Sequence, residues 1–181
     1  SLPGGAHTDL HAADDPAEMY LAGDTVDFQL AADPAAEPDR RDAGPGDLRV
    51  SIGNHEGKPT AVLYRRVSSR KKPRRFTSGV VKDYRMDYVG VMPDARVEVF
   101  PPKPRGRYVV EAALPLETLG LKPADGLKLA GDFGATHSDP AGKAAVLRTH
   151  WSNQDTGLID DAVFEIKMTP ANWGELIFKA K

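Results

Sequence analysis

Hydrophobic and polar residues alternate with period two along most of this chain, in short runs bounded by Gly, Pro or Asp. D-T-V-D-F-Q-L puts Val26, Phe28 and Leu30 on one face of an extended strand, and D-L-R-V-S-I does the same with Leu48, Val50 and Ile52. The runs K-P-T-A-V-L-Y-R, A-R-V-E-V-F, G-R-Y-V-V-E-A-A-L, G-L-K-L-A-G-D-F, A-A-V-L-R-T-H-W, A-V-F-E-I-K-M and E-L-I-F read as further strands. Strict alternation predicts Val26, Phe28, Tyr108, Val110 and Ala112 in one shared core. Only P-L-E-T-L-G, residues 115–120, reads as helix, with Pro115 early and Gly120 closing it. The pattern predicts an all-β fold: an antiparallel β-sandwich, jelly-roll or immunoglobulin-like, with at most one or two short helical turns.

The Pro-rich stretch 31–47 reads as a long connection between strands, and residues 1–16 lack an apolar period. The organisation expected is one domain over residues 21–181. Residues 1–20 stand before it as an extension or as part of an edge strand completed elsewhere. With 181 residues the chain is long enough for one real core. Its 15 Pro and 17 Gly favour turns over long helices. No apolar run is long enough to span a bilayer, and no membrane association is expected. No leader-like segment opens the chain, so any such segment is expected to have been removed. The absence of Cys excludes disulfides, thiolate metal sites and Cys nucleophiles.

Charge is unevenly spread. Residues 1–48 carry a net −9 and the remainder +7, much of it in R-R-V-S-S-R-K-K-P-R-R-F at 65–76. That run has no helix to enter a groove and few interleaved aromatics, so it reads as a solvated hairpin tip and no nucleic-acid partner is expected.

D-L-H at 9–11, G-D-T-V-D at 23–27 and G-N-H-E at 53–56 occur in the order seen in calcineurin-like metallophosphoesterases. There such residues end buried parallel strands and hold two metals that activate water. Here the flanking segments alternate as half-buried antiparallel strands do, and no G-H-x-H follows. His7 and His11 beside Asp9, Asp14 and Asp15 have helical ligand spacing, but S-L-P-G-G is a poor helix start. No catalytic set stands out, and a non-enzymatic role is expected.

A more extensive likeness lies elsewhere. G-D-T-V-D-F-Q-L resembles the G-D-x-V-[DE] strand of carbohydrate-binding module family 9, a DOMON-like β-sandwich of secreted bacterial proteins. R-Y-V-V-E-A-A-L-P-L-E-T-L-G-L is similar to that family's Y-x-V-E-x-x-I-P-L-x-x-L-G-L segment, its most specific motif. L-A-G-D-F-G-A-T-H-S-D, L-R-T-H-W-S-N and A-V-F-E-I-K-M resemble its later strands, and the likeness runs in order through most of residues 20–170. It implies a non-catalytic accessory module, secreted to an extracellular or periplasmic location, that binds a polysaccharide or oligosaccharide and adjoins other domains. Sugar-binding members clamp their ligand between two Trp rings, where this chain has Leu21 and the pair Leu158 and Ile159.

Trp151 alternates with Thr149 and matches a family position that looks structural, so the core is its default place; Trp173 is expected to cover a sheet edge. The ligand-binding set expected is Trp151, Asn153, Gln154 and Asp155, the last three being turn formers whose donors and acceptors also suit sugar hydroxyls. Asp160 and Asp161 are placed, by the resemblance, to hold a structural Ca²⁺. Without the Trp pair, affinity for a short sugar should be near millimolar, about 4 kcal/mol. Relatives of the sandwich that bind haem b through Met make Met19, Met86, Met92 and Met168 an alternative ligand set. The G-N-H-E residues are expected at a hairpin turn, with Asn54 and Gly57 as turn formers. Elemental analysis should then find no pair of transition metals per chain that is lost on His55→Ala.

Overall fold

The fold is a computed structural model that describes residues 15–21, 23–78, 81–100, 108–142, 144–155 and 162–179. The strands are β1 (Thr25–Ala31), β2 (Asp47–His55), β3 (Lys58–Arg65), β4 (Arg74–Phe76), β5 (Tyr84–Met86), β6 (Tyr88–Val91), β7 (Arg96–Phe100), β8 (Val109–Ala113), β9 (Lys128–Ser138), β10 (Ala145–His150) and β11 (Gly174–Ile177). Two short helices, α1 (Leu116–Leu119) and α2 (Ala162–Ile166), and two 3₁₀ turns, Pro16–Leu21 and Pro170–Asn172, complete the elements. Every ladder between these strands is antiparallel. The all-β sandwich read from the alternation is the fold observed.

A seven-stranded sheet in the order β10-β9-β1-β2-β3-β6 forms the centre. The long strand β9 uses one edge for β1, through residues 131–136. Its other edge is shared end to end, by β11 over 128–131 and by β10 over 134–138. The β2–β3 hairpin turns at Glu56 and Gly57, whose φ of 51° and 77° give the left-handed pair that matches strand twist. The G-N-H-E motif thus lies at a hairpin, with Asn54 and His55 in the ladder and Glu56 in the turn.

Both faces of the sheet are covered. On one, Leu30, Leu48, Val50, Ile52, Leu63 and Leu129 pack under the separate β7–β8 hairpin and α1. Within that hairpin Val110 reaches the core, but Ala112 is exposed, and Val26 and Tyr108 are only half-buried. The shared core expected of these residues is therefore met only in part: Phe28 and Val110 pack against the same cluster, while β8, paired with β7 and not with the large sheet, leaves Ala112 outside it. Burial, with Asp24 nearby, pushes the Tyr108 hydroxyl up to about 12.

On the opposite face Met19, Tyr20, Val62, Tyr64, Met86, Ile166 and Met168 are fully buried under the first 3₁₀ turn, the β4–β5 hairpin and α2. Met19 and Tyr20 make residues 16–20 part of the core, so the domain boundary expected at residue 20 crosses a packed turn. Of A-V-F-E-I-K-M, expected as a strand, the first five residues form α2 instead. Val163 and Ile166 lie three apart and both are buried, and Lys167 N–H donates to Val163 O at 3.1 Å. Alternation over so few residues does not separate strand from helix, and packing against the sheet decides.

This second face is also polar. Thr25, Asp27 and Gln29 of β1 and Arg49 and Ser51 of β2 are buried on it. Arg49 Nε donates to Asp27 Oδ1 at 2.8 Å, with side-chain exposures of 3 % and 4 %. Arg49 Nη1 donates to the Glu165 carbonyl of α2 at 2.6 Å, and the guanidinium lies 5.3 Å from the Tyr20 ring centroid. Nearby, Arg148 pairs with the Glu165 carboxylate. A cation so enclosed is tolerated only while its partners remain. Asp27→Ala should cost about 3–5 kcal/mol, whereas joint replacement by Leu at 27 and Met at 49 should recover much of the loss. Urea unfolding midpoints check this, and a loss under about 1 kcal/mol for Asp27→Ala would contradict it.

Candidate functional site

The seam where β10 ends and β11 begins is organised by one carboxylate. Asp132 of β9 is buried, with its Oδ2 lying 2.5 Å from His150 Nδ1. Its Oδ1 accepts from Ser152 N–H at 2.8 Å and from Ser152 Oγ at 3.0 Å. Ser152 Oγ in turn accepts from Gly174 N–H at 2.9 Å, which joins the loop to β11. His150 and Ser152 are thereby drawn to one side of the sheet. Trp151, between them, projects to the other, its backbone N–H donating to Phe133 O at 2.8 Å.

Trp151 is 53 % exposed, which overturns its expected core placement. The expected edge residue, Trp173, is the one found in the core, with the Arg40 guanidinium 6.0 Å from its ring centroid. Alternation assigned the direction of Trp151 but not what covers that side, and the β7–β8 hairpin lies against β3 instead. The indole rests on Gly174, where a Cβ would lie 2.8 Å from Trp151 Cζ3 and 2.9 Å from Cη2. Its ring meets Phe133 edge-on at 6.3 Å, and Phe133, itself exposed, stacks at 5.0 Å on Phe28, its direct partner across the β1–β9 ladder. Trp151 and Phe133 thus form an open aromatic row that continues to half-buried Phe28, held by the seam beneath. Phe133 was not singled out in the sequence, and Phe28 was read only as a core residue; D-F facing D-F across two strands was the available signal.

The other expected site residues fall differently. Asn153 is buried, its Oδ1 accepting from Asn172 Nδ2 at 3.1 Å and from Asp155 N–H at 3.3 Å, so it fastens the loop. Gln154 and Asp155 are exposed at the end of that loop. Asp160, Asp161, Leu158 and Ile159 lie outside the described residues, as do His7, Asp9, His11 and Asp14. Leu21 packs against the core.

Asp24 accepts from Ser138 N–H and Oγ, and Asp27 is held by Arg49, so both carboxylates of the G-D-T-V-D motif serve the sheet. Among the described residues no group of three or more His, Asp or Glu is placed to share a metal ion. Met19, Met86, Met92 and Met168 are all packed in the two cores. In the basic run, Lys71 pairs with Asp87, Arg75 with Asp83, and Arg74 with Asp15 and Glu18. No family model, no curated protein and no solved structure matches the chain.

Burial alone would push the Asp132 carboxyl up, but the bonds from His150 and Ser152 outweigh it and leave it below its ordinary value. A carboxyl depressed in the folded state adds stability that is full above its unfolded value, near about 4, and is lost as pH falls through the folded value. Asp132→Asn should therefore be less stable than the parent at pH 6, with the gap narrowing as pH drops below about 4. Denaturant unfolding across that range checks it, and a gap independent of pH would contradict it.

Proposed function

We propose that this chain is a non-catalytic carbohydrate-binding module, the accessory part of a secreted protein, and that its ligand lies along the open row of Trp151, Phe133 and Phe28. The half-exposed indole of Trp151, fixed by Gly174 and the Asp132 seam, carries this reading. A pyranose presents C–H groups on one face, and packing them against an indole buries apolar surface without losing the hydroxyls to dry contact. Exposed Thr149, Gln154 and Asp155 offer donors and acceptors on the same strand and loop. The rings are already in place, so little ordering is needed on binding. The motif likeness to carbohydrate-binding module family 9 supports the same class, although the ring row is not at that family's Trp positions.

Val146 and Leu147 of β10 are also exposed, and these aliphatic neighbours favour a docked adjoining domain as the second reading. Cello- and xylo-oligosaccharides titrated against the protein, followed by the indole resonances, separate the two. Sugar binding predicts saturation near millimolar, lost in Trp151→Ala and weakened about fivefold in Gln154→Ala, equivalent to about 1 kcal/mol. Saturable binding that survives Trp151→Ala, or no binding to any glycan offered, would sink the proposal.

A further inference from the structure

A second surface feature lies away from the aromatic row. The end of β3, the loop that follows it, the last turn before β2 and the end of α1 enclose an open groove of 730 Å³. Arg65, Arg70, Ser68, Ser69, Glu117 and Thr118 supply its polar lining. Where Lys71, Arg74 and Arg75 of the basic run are matched by acids, Arg65 and Arg70 make no ion pair among the described residues. Both face the same groove.

Each is held for a purpose other than neutralisation. Arg65 Nη2 donates to the carbonyls of Thr118 and Leu119 at 3.3 and 3.0 Å, which closes the end of α1 beside the left-handed Gly120. Burial works against its charge, and Asp47 offsets this only in part, since that carboxylate is already bonded to Arg40 and Gly44. The Arg70 guanidinium stacks 4.8 Å above the Tyr88 ring centroid. That ring contact leaves the guanidinium N–H groups available to chelate a carboxylate. Leu63 and Val67 give the groove an apolar wall, and the serine hydroxyls stand beside it. Glu117 is the one carboxylate lining the groove, so its polar side is net cationic.

We propose that this groove is a second binding site, for the carboxylate of an acidic saccharide such as a uronate oligomer. Its volume lies in the range of sites that hold a ligand larger than one sugar ring. Two unmatched guanidinia fix the anion, the hydroxyls take ring oxygens, and the apolar wall takes the C–H face. The saccharide part rests on the function proposed above; the anion part rests on the groove alone.

Titration calorimetry of the full chain with trigalacturonate, neutral xylotriose and inorganic phosphate tests it. Trigalacturonate should bind, more weakly as salt rises, and lose at least tenfold in affinity in Arg70→Ala. Arg70→Lys should recover only part of that loss, because it restores charge without the planar fork. Glu117→Gln should tighten binding two- to fivefold, and Trp151→Ala should leave it unchanged. No binding of trigalacturonate, or binding indifferent to Arg70→Ala, overturns the site. Phosphate binding as tightly as trigalacturonate overturns its assignment to a saccharide. Xylotriose bound through Trp151 with trigalacturonate unbound would leave the aromatic face standing and remove this groove; the reverse pattern would do the opposite.

Discussion

The enclosed ion pair between Asp27 and Arg49 is the constraint around which the rest is arranged. A guanidinium with 3 % of its side chain exposed cannot be left to water, so the layer above it has to supply oxygen and ring faces. Asp27 supplies the carboxylate, α2 a carbonyl and the first 3₁₀ turn the Tyr20 ring. That requirement draws chain segments from both ends of the sequence onto one side of the sheet. The other side is closed chiefly by apolar contact with the β7–β8 hairpin and α1. The aromatic row lies on the part left uncovered.

The two sides are coupled at the seam. Asp132 faces the polar layer, yet by drawing His150 and Ser152 inward it sets the direction of Trp151 on the opposite surface. Gly174 belongs to the same device, since its lack of a side chain gives the indole a seat. The exposed ring is thus supported by a buried network and by two strands distant in sequence, which suits a contact that has to be firm before a ligand arrives.

Period-two patterning made most of the large sheet legible. Val50 and Ile52 point as their alternation requires, and Leu116–Leu119 forms the one helix expected, capped by Gly120. It was misleading where a strand is covered on both faces. Arg49 and Ser51 fall on the face opposite Val50 and Ile52, and their burial depends on α2 and the 3₁₀ turn arriving from elsewhere. The short strands β4, β5 and β6 were hidden in or just beyond the basic run, where Lys71, Arg74 and Arg75 are matched by Asp87, Asp15, Glu18 and Asp83 in pairings that local pattern does not record. At the site, the loop residues 153–155 were legible as polar turn formers. The exposure of Trp151 was not, because what lies over a strand is a property of topology.

That topology also dictates an order of assembly. β1, β2 and β3 are neighbours in sequence and can pair as soon as they are made, but β1 finds its second partner in β9, about a hundred residues later. Until then its free edge and the half-formed layer around Arg49 stand open to solvent. β9 itself is complete only when β11, near the end of the described chain, lies down beside residues 128–131. Such distant pairings make loop closure the slow part of folding. A ribosome-bound or truncated chain that lacks β9 therefore presents an unpaired strand edge beside an unfinished core, the form most prone to associate with another copy.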